Sequence, residues 1–392
     1  MKIPVRTRIA ACLAVVGLSM AVTVAQAKPS QSALPVEVQI PKLPAPVTVD
    51  GIQHLVYEIH VTNASTRDFA LSGMEVLSDQ TLASLSQAEL EKITKMFGTA
   101  EDAPASTEIG AGKRIAVFMD VVLAPGAAIP RELRHNLTFS FKLPDGSSKS
   151  KGLASEVVPV RSAQTSQLQP PLRGSGWVAA DVLDPSPNGS HRRSLMAVDG
   201  KLFIAQRYAI DWVRLGPDGR YFHDDPTDNR NWYDYGAEVL AVGDGVVSDV
   251  LDGMAENVAQ SLPNGPVTLD NIAGNYLILD LGQGRYALYA HVQPGSIRVK
   301  LGDKVKAGQV LALLGNTGNS DAPHLHFHLV DGNSSLGAEG IAYGFASFKV
   351  HGKVEDAEAV FAGSKAWKAE SEFKPQQRHG ELPANYAVIE FP

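Results

Sequence analysis

Residues 318–332 read GNSDAPHLHFHLVDG and set His324, His326 and His328 at every second position just after a proline. On an extended strand these side chains share one face, so His324 and His326 can address one point, with His328 farther along. Imidazoles placed in this way can ligate a metal or move protons near neutral pH. They can equally form one polar face of a strand, and spacing alone leaves both readings open. His328 lies two residues beyond His326, about 6 to 7 Å along an extended strand, so sharing one ion with it requires a bend.

The elements that must carry these residues are strands. HLVYEIHV, RIAVFMDVVL and LTFSFKL in the first half are rich in β-branched and aromatic residues and are separated by Gly, Pro, Asn and Asp. They predict a small β-sandwich over residues 28–162, in which His54, His60 and His135 are scattered strand or surface histidines. SQAELEKITKMFG is the one clear helix candidate there, with Ser86 as cap, Glu89 three residues on and Gly98 as stop. The polar, proline-bearing stretch SAQTSQLQPPLRGSG marks a linker over 163–174. EVLAVGDGVVSDVL, GNYLILDLG, RYALYAHV, DKVKAGQVLALLG and HLHFHLV then predict a second all-β domain over 175–347. An extension over 348–392 holds a short helix candidate, VEDAEAVFAGSK, and a mostly extended tail.

Composition narrows the partners. Lys2, Arg6 and Arg8 precede an apolar run from Ile9 to about Val24 and a small-x-small site at Ala25-Gln26-Ala27, the pattern of a secretory signal over residues 1–27. An exported chain, periplasmic or extracellular and without a membrane span after cleavage, is expected. Cleavage removes Cys12, the single cysteine, so any metal must be held by His, Asp or Glu. It also removes three positive charges, taking the formal net charge from −7 to −7 − 3 = −10, which argues against a nucleic-acid partner.

From about Ala205 to Val330 the chain resembles the lysostaphin/LytM-type zinc metalloendopeptidases, duplicated-hybrid-motif enzymes that cut peptide cross-links in bacterial peptidoglycan. The resemblance rests on AIDW around Asp211, YGAEVLAVGDGVV from Tyr235, GNYLILDLGQGRYALYAHV ending at His291, and VKLGDKVKAGQVLALLGNTGNSDAPHLHF ending at Phe327. It implies an all-β protein whose duplicated-hybrid-motif core domain follows the sandwich, and peptidoglycan or its peptide cross-links as partner. It also implies one zinc ion per chain with Asp211 and His326 as ligands, and His291 and His324 as catalytic residues. Neutral imidazoles with a carboxylate suit zinc, and nearby imidazoles can relay protons.

One position departs from the family pattern. A further zinc-ligand His is expected four residues before the Asp, and here that residue is Arg207. A guanidinium has no free lone pair and stays protonated, so it cannot ligate zinc. Either Arg207 pairs with Asp211 in a catalytically degenerate homologue that binds wall peptides or activates a cell-wall amidase, or another histidine supplies the third ligand. His191 in NGSHRRS, His223 in YFHDDP and His328 are the candidates. Trp212, Tyr208, Trp232 and Tyr235 either flank a peptide-binding cleft or pack in the core. The turn NTGNS is expected to line the groove through Asn316 and Ser320. HDDPTDNRNWYD lacks the Gly and terminal Glu of a calcium loop, and no calcium is expected there.

Overall fold

Strand Ile52–Asn63 carries the centre of the N-terminal layer: Leu55 to Val61 are all buried, Glu58 and His60 among β-branched and aromatic residues that favour an extended chain, and Asp50-Gly51 precedes the strand as a turn. It pairs antiparallel with Val36–Gln39, Ala45–Val49 and Arg114–Val122, and the last of these takes Thr94–Met96. A second antiparallel sheet is built around Phe69–Leu77 and Glu132–Lys142. Tyr57 from the first sheet and His135 from the second meet between the layers, hydroxyl to Nε2 at 2.7 Å. The expected sandwich is present in a computed structural model that describes residues 33–99, 105–162, 165–187 and 189–392. The expected signal segment lies outside the described residues. No helix among them is long and apolar enough to cross a membrane.

The N-terminal helix is shorter than its sequence suggested. It spans Gln87–Lys92, with the expected reciprocal cap between Ser86 and Glu89. Gly98 does not end it. The β-branched Ile93 and Thr94 leave the helix early, and Thr94–Met96 is claimed by the edge of Arg114–Val122. The C-terminal helix is likewise confined to Ala357–Phe361, capped by Asp356.

Ten strands form the sheet that carries the histidines. In spatial order they are Lys304–Val305, Gly245–Leu251, Tyr276–Asp280, Tyr286–Ala290, Leu325–Val330, Ile210–Arg214, Gly174–Ala180, Ala387–Phe391, Phe348–Lys353 and Gln376–Arg378. The segment beyond residue 348 therefore contributes three strands to this sheet, and Ser166–Leu168 pairs parallel with Tyr343–Phe345. Residues 35–392 make one compact unit.

Trp212 settles which face is core. Its ring is fully buried, 5.1 Å from that of Phe391 and 5.7 Å from that of Phe345. Since side chains alternate along a strand, Trp212 inward puts Asp211 on the opposite face. The same rule places Leu325, Phe327 and Leu329 in the core and turns His326 and His328 the other way. Tyr208 and Trp232 are buried too, and Tyr235 is half-buried with its hydroxyl on Glu256 at 2.6 Å. None of these four aromatics lines the histidine groove.

Candidate metal centre

Asp211 and His326 are register partners on adjacent antiparallel strands, and Ala290 faces His326 from the other side. Directly paired residues share a face, which brings His326 Nδ1 to 2.8 Å from Asp211 Oδ1. The small Ala290 leaves room beside the imidazole. His291 follows at once, at φ +65°, a left-handed conformation uncommon outside glycine. That turn directs its ring toward the same point, 4.7 Å from the ring of His324 and 5.8 Å from that of His326.

A further histidine arrives from a loop. His191 Nε2 lies 3.3 Å from Asp211 Oδ2, and its ring packs edge-on against His326 at 4.9 Å. One donor atom from each of His191, Asp211 and His326 lies within 4.8 Å of the other two. The loop leaves the sheet at Asp181, beside Asp211's own partner Ala180. The Asp181 carboxylate accepts the Ser190 and His191 amides at 2.9 and 3.0 Å and the Ser190 hydroxyl at 2.6 Å. His191 Nδ1 donates to the Asp181 carbonyl at 3.1 Å, which leaves Nε2 as the atom aimed at Asp211.

Arg207 corrects the sequence reading that paired it with Asp211. Its guanidinium lies 2.8 Å from Glu58 Oε2, 2.8 Å from Glu339 Oε2 and 3.1 Å from the Gly340 carbonyl. Two carboxylates already buried on that side outcompete one across the strand, since an unpaired buried charge is costly. Burial alone would raise Glu58, but Arg207 and Arg192 bring its carboxyl below the ordinary value. His223 sits elsewhere, exposed and 3.0 Å from Asp224. His328 takes the far side of the His326 ring, Nδ1 to Nε2 at 2.9 Å, so it does not share a point with Asp211.

The electrostatics divide the imidazoles. Burial, with His324 and His326 adding to it, pushes His291 well below the ordinary histidine range. Burial also lowers His326, although Asp211 opposes it. Burial works against charge on His191 as well, yet Asp211 and Asp181 outweigh it and hold that pKa up at about 9. Asp211 feels burial upward, but His191 and His324 keep its carboxyl well below the usual value. His291 Nδ1 donates to the Thr317 carbonyl at 2.7 Å and His324 Nδ1 to the Ala322 carbonyl at 2.9 Å, so each turns its Nε2 away from those carbonyls, that of His324 to 3.6 Å from Asp211 Oδ1. Ser320 lines the groove and touches His324 Nδ1 at 3.2 Å, whereas Asn316 is buried against Asn229 and Asn257.

Asp211 and five imidazoles, those of His191, His291, His324, His326 and His328, line one groove on the β-sheet, and carboxylate with imidazole is a donor set that suits a divalent metal. Residues 232–337 match the model of Peptidase family M23, and the chain carries a Peptidase M23 domain there. His291, His324, His326 and His328 fall inside that match; His191, Arg207 and Asp211 precede it. Two Vibrio cholerae proteins are similar over short stretches. Peptidoglycan DD-endopeptidase ShyA is 43% identical over 58 residues, 15% of this chain and 13% of that protein. Peptidoglycan DD-endopeptidase ShyB is 41% identical over 66 residues, 17% of this chain and 15% of that protein. The matches thus span less than a fifth of either relative. Among solved structures, the catalytic domain of the prophage-encoded M23 protein EnpA from Enterococcus faecalis overlaps 44% of this chain and 92% of that chain. Its identity is 22% and its TM-score 0.26.

Proposed function

We propose that this chain is an exported zinc endopeptidase that hydrolyses a peptide bond in peptidoglycan, with His191, Asp211 and His326 as its three protein ligands. The observation that carries the reading is the convergence of three donor atoms within 4.8 Å of one another in a groove. The Asp211 carboxylate faces both imidazoles, Oδ1 at 2.8 Å from His326 Nδ1 and Oδ2 at 3.3 Å from His191 Nε2, and carboxylate and imidazole are donor types that zinc takes. Three protein ligands are also the number a catalytic zinc site uses, with one position left open. Zinc there supplies a water of lowered pKa and polarises a carbonyl.

The chain's own residues do the rest. His191 keeps its Nδ1 proton on the Asp181 carbonyl and would offer Nε2 once a bound metal displaces the proton that Asp211 and Asp181 favour there; His326 would offer Nδ1 and hold its other proton against His328 Nδ1. His291 and His324, each with Nδ1–H fixed on a backbone carbonyl, offer Nε2 to protons in the groove. One of them accepts the proton that water loses as its oxygen bonds to the peptide carbon. The C–N bond then breaks and the proton passes to the leaving amine. Similarity to two peptidoglycan DD-endopeptidases supports the substrate class, and the signal pattern of residues 1–27 supports export. Arg207, the ground for a non-catalytic wall-binding or amidase-activating homologue, is engaged by Glu58 and Glu339.

Digestion of purified peptidoglycan, read as newly exposed amino groups, tests this. The chain is expected to release them with zinc present and its His324→Ala variant to release almost none. Equal release by both proteins, or by neither, sinks the enzymatic reading.

A further inference from the structure

His191 lies between strands Gly174–Ala180 and Met196–Val198, where the described residues form no strand or helix, and a ligand on a loop needs support to be held in place. Upstream that support is Asp181. Downstream, the two residues that follow His191 both enter the N-terminal sandwich. Arg192 is fully buried there, with Nη2 3.2 Å from Glu58 Oε1, 3.2 Å from the Met119 carbonyl and 3.4 Å from the Tyr57 carbonyl. Arg193 Nη2 donates to the Thr94 carbonyl at 3.2 Å, and its guanidinium carbon stands 5.7 Å from the centre of the Phe118 ring. Lys95 Nζ returns the contact, donating to the Arg193 carbonyl at 3.3 Å.

Glu58 is common to both unusual features of the site. It takes Arg207, the residue standing where a ligand was expected, and Arg192, the neighbour of the ligand that replaces it. We propose that the N-terminal sandwich is a positioning element of the metal centre, holding His191 in its ligand position through Glu58 with Arg192 and through Thr94 with Arg193. The proposal rests on His191 being the third ligand. Glu58, Arg192 and Arg193 are positioning residues, since the role proposed for them acts through His191.

Zinc dissociation constants of the full chain, measured by competition with a chromophoric chelator, test it with four proteins. The wild type binds, and His191→Ala loses binding; if it does not, the three-ligand reading falls, whatever the other variants do. Arg192→Met leaves Glu58 paired with Arg207 and is expected to weaken zinc roughly 10-fold to 100-fold, the range for removing a group that orients a ligand. Arg193→Met leaves the Glu58 cluster whole and is expected to act in the same direction, deciding the matter if Arg192→Met does not fold. Folding is checked by circular dichroism of the metal-free proteins. A folded Arg192→Met or, failing that, Arg193→Met with the wild-type zinc constant, while His191→Ala has lost binding, overturns the positioning role alone.

Discussion

His191 Nε2 stands 3.3 Å from Asp211 Oδ2, although 20 residues separate them and no strand or helix carries His191. In the proposed metal centre this pair supplies the donor that Arg207 cannot, and the first prediction follows from it. His191→Ala should weaken zinc by more than about 100-fold, beyond the range for groups that only orient a ligand. His223→Ala, at an exposed histidine beside Asp224, should leave zinc unchanged. Equilibrium dialysis with elemental analysis reads both, and a zinc content near one per chain in His191→Ala would remove this residue from the centre.

His291 and His324 should separate from the ligands in their effect. Neither is among the three converging donors, so His291→Ala and His324→Ala are expected to retain zinc while peptide release falls about 100-fold to 10,000-fold, the range for lost acid-base catalysis. Loss of zinc in step with activity would make them ligands instead.

His328 holds the far nitrogen of His326 at 2.9 Å. Replacing it by Phe removes the partner and should weaken zinc roughly 10-fold to 100-fold, whereas Gln, which can still accept a hydrogen bond, should recover part of the loss. Identical constants for Phe and Gln would mean that the contact has no orienting role.

Arg207→Met should cost stability. Among the described residues it leaves Glu339 paired with Lys42 at 3.8 Å and Glu58 with Arg192, and breaking a buried pair in this way costs about 3 to 5 kcal/mol. Thermal unfolding reads the loss; a Tm within a degree or so of wild type would show that the cluster is dispensable.

Two buried histidines of the sandwich set an acid limit. Burial is the main cause that lowers both His60 and His135, to about 4 in each case, with Glu58 opposing it at His60. Both are therefore neutral in the fold and titrate near 6.5 when unfolded. The unfolded chain binds more protons between these values, so their contribution is complete above about pH 6.5 and is lost as pH falls toward 4. The limit is about 3 kcal/mol for each residue. Denaturant unfolding at pH 7 and pH 5 should show a smaller difference in His135→Asn than in wild type, and equal differences would contradict the assignment.

Sequence alone determined the parts of this site that depend on local periodicity. Alternation along HLHFH put His326 and His328 on one face, and the motifs around Asp211 and His291 placed the neighbouring strands, because side-chain direction in a strand follows position. It also showed what Arg207 cannot do, since that is a property of the guanidinium itself. The partner of Arg207, the place of His191 beside Asp211 and the contact of His328 with His326 were decided only by tertiary structure. Each depends on contacts between residues far apart in the chain: Glu58 drawing Arg207 away, Asp181 and the sandwich pinning the His191 loop, and His326 turned so that its second nitrogen meets His328. A loop histidine has no periodicity to announce its direction, and its position comes from the burial and pairing of its neighbours.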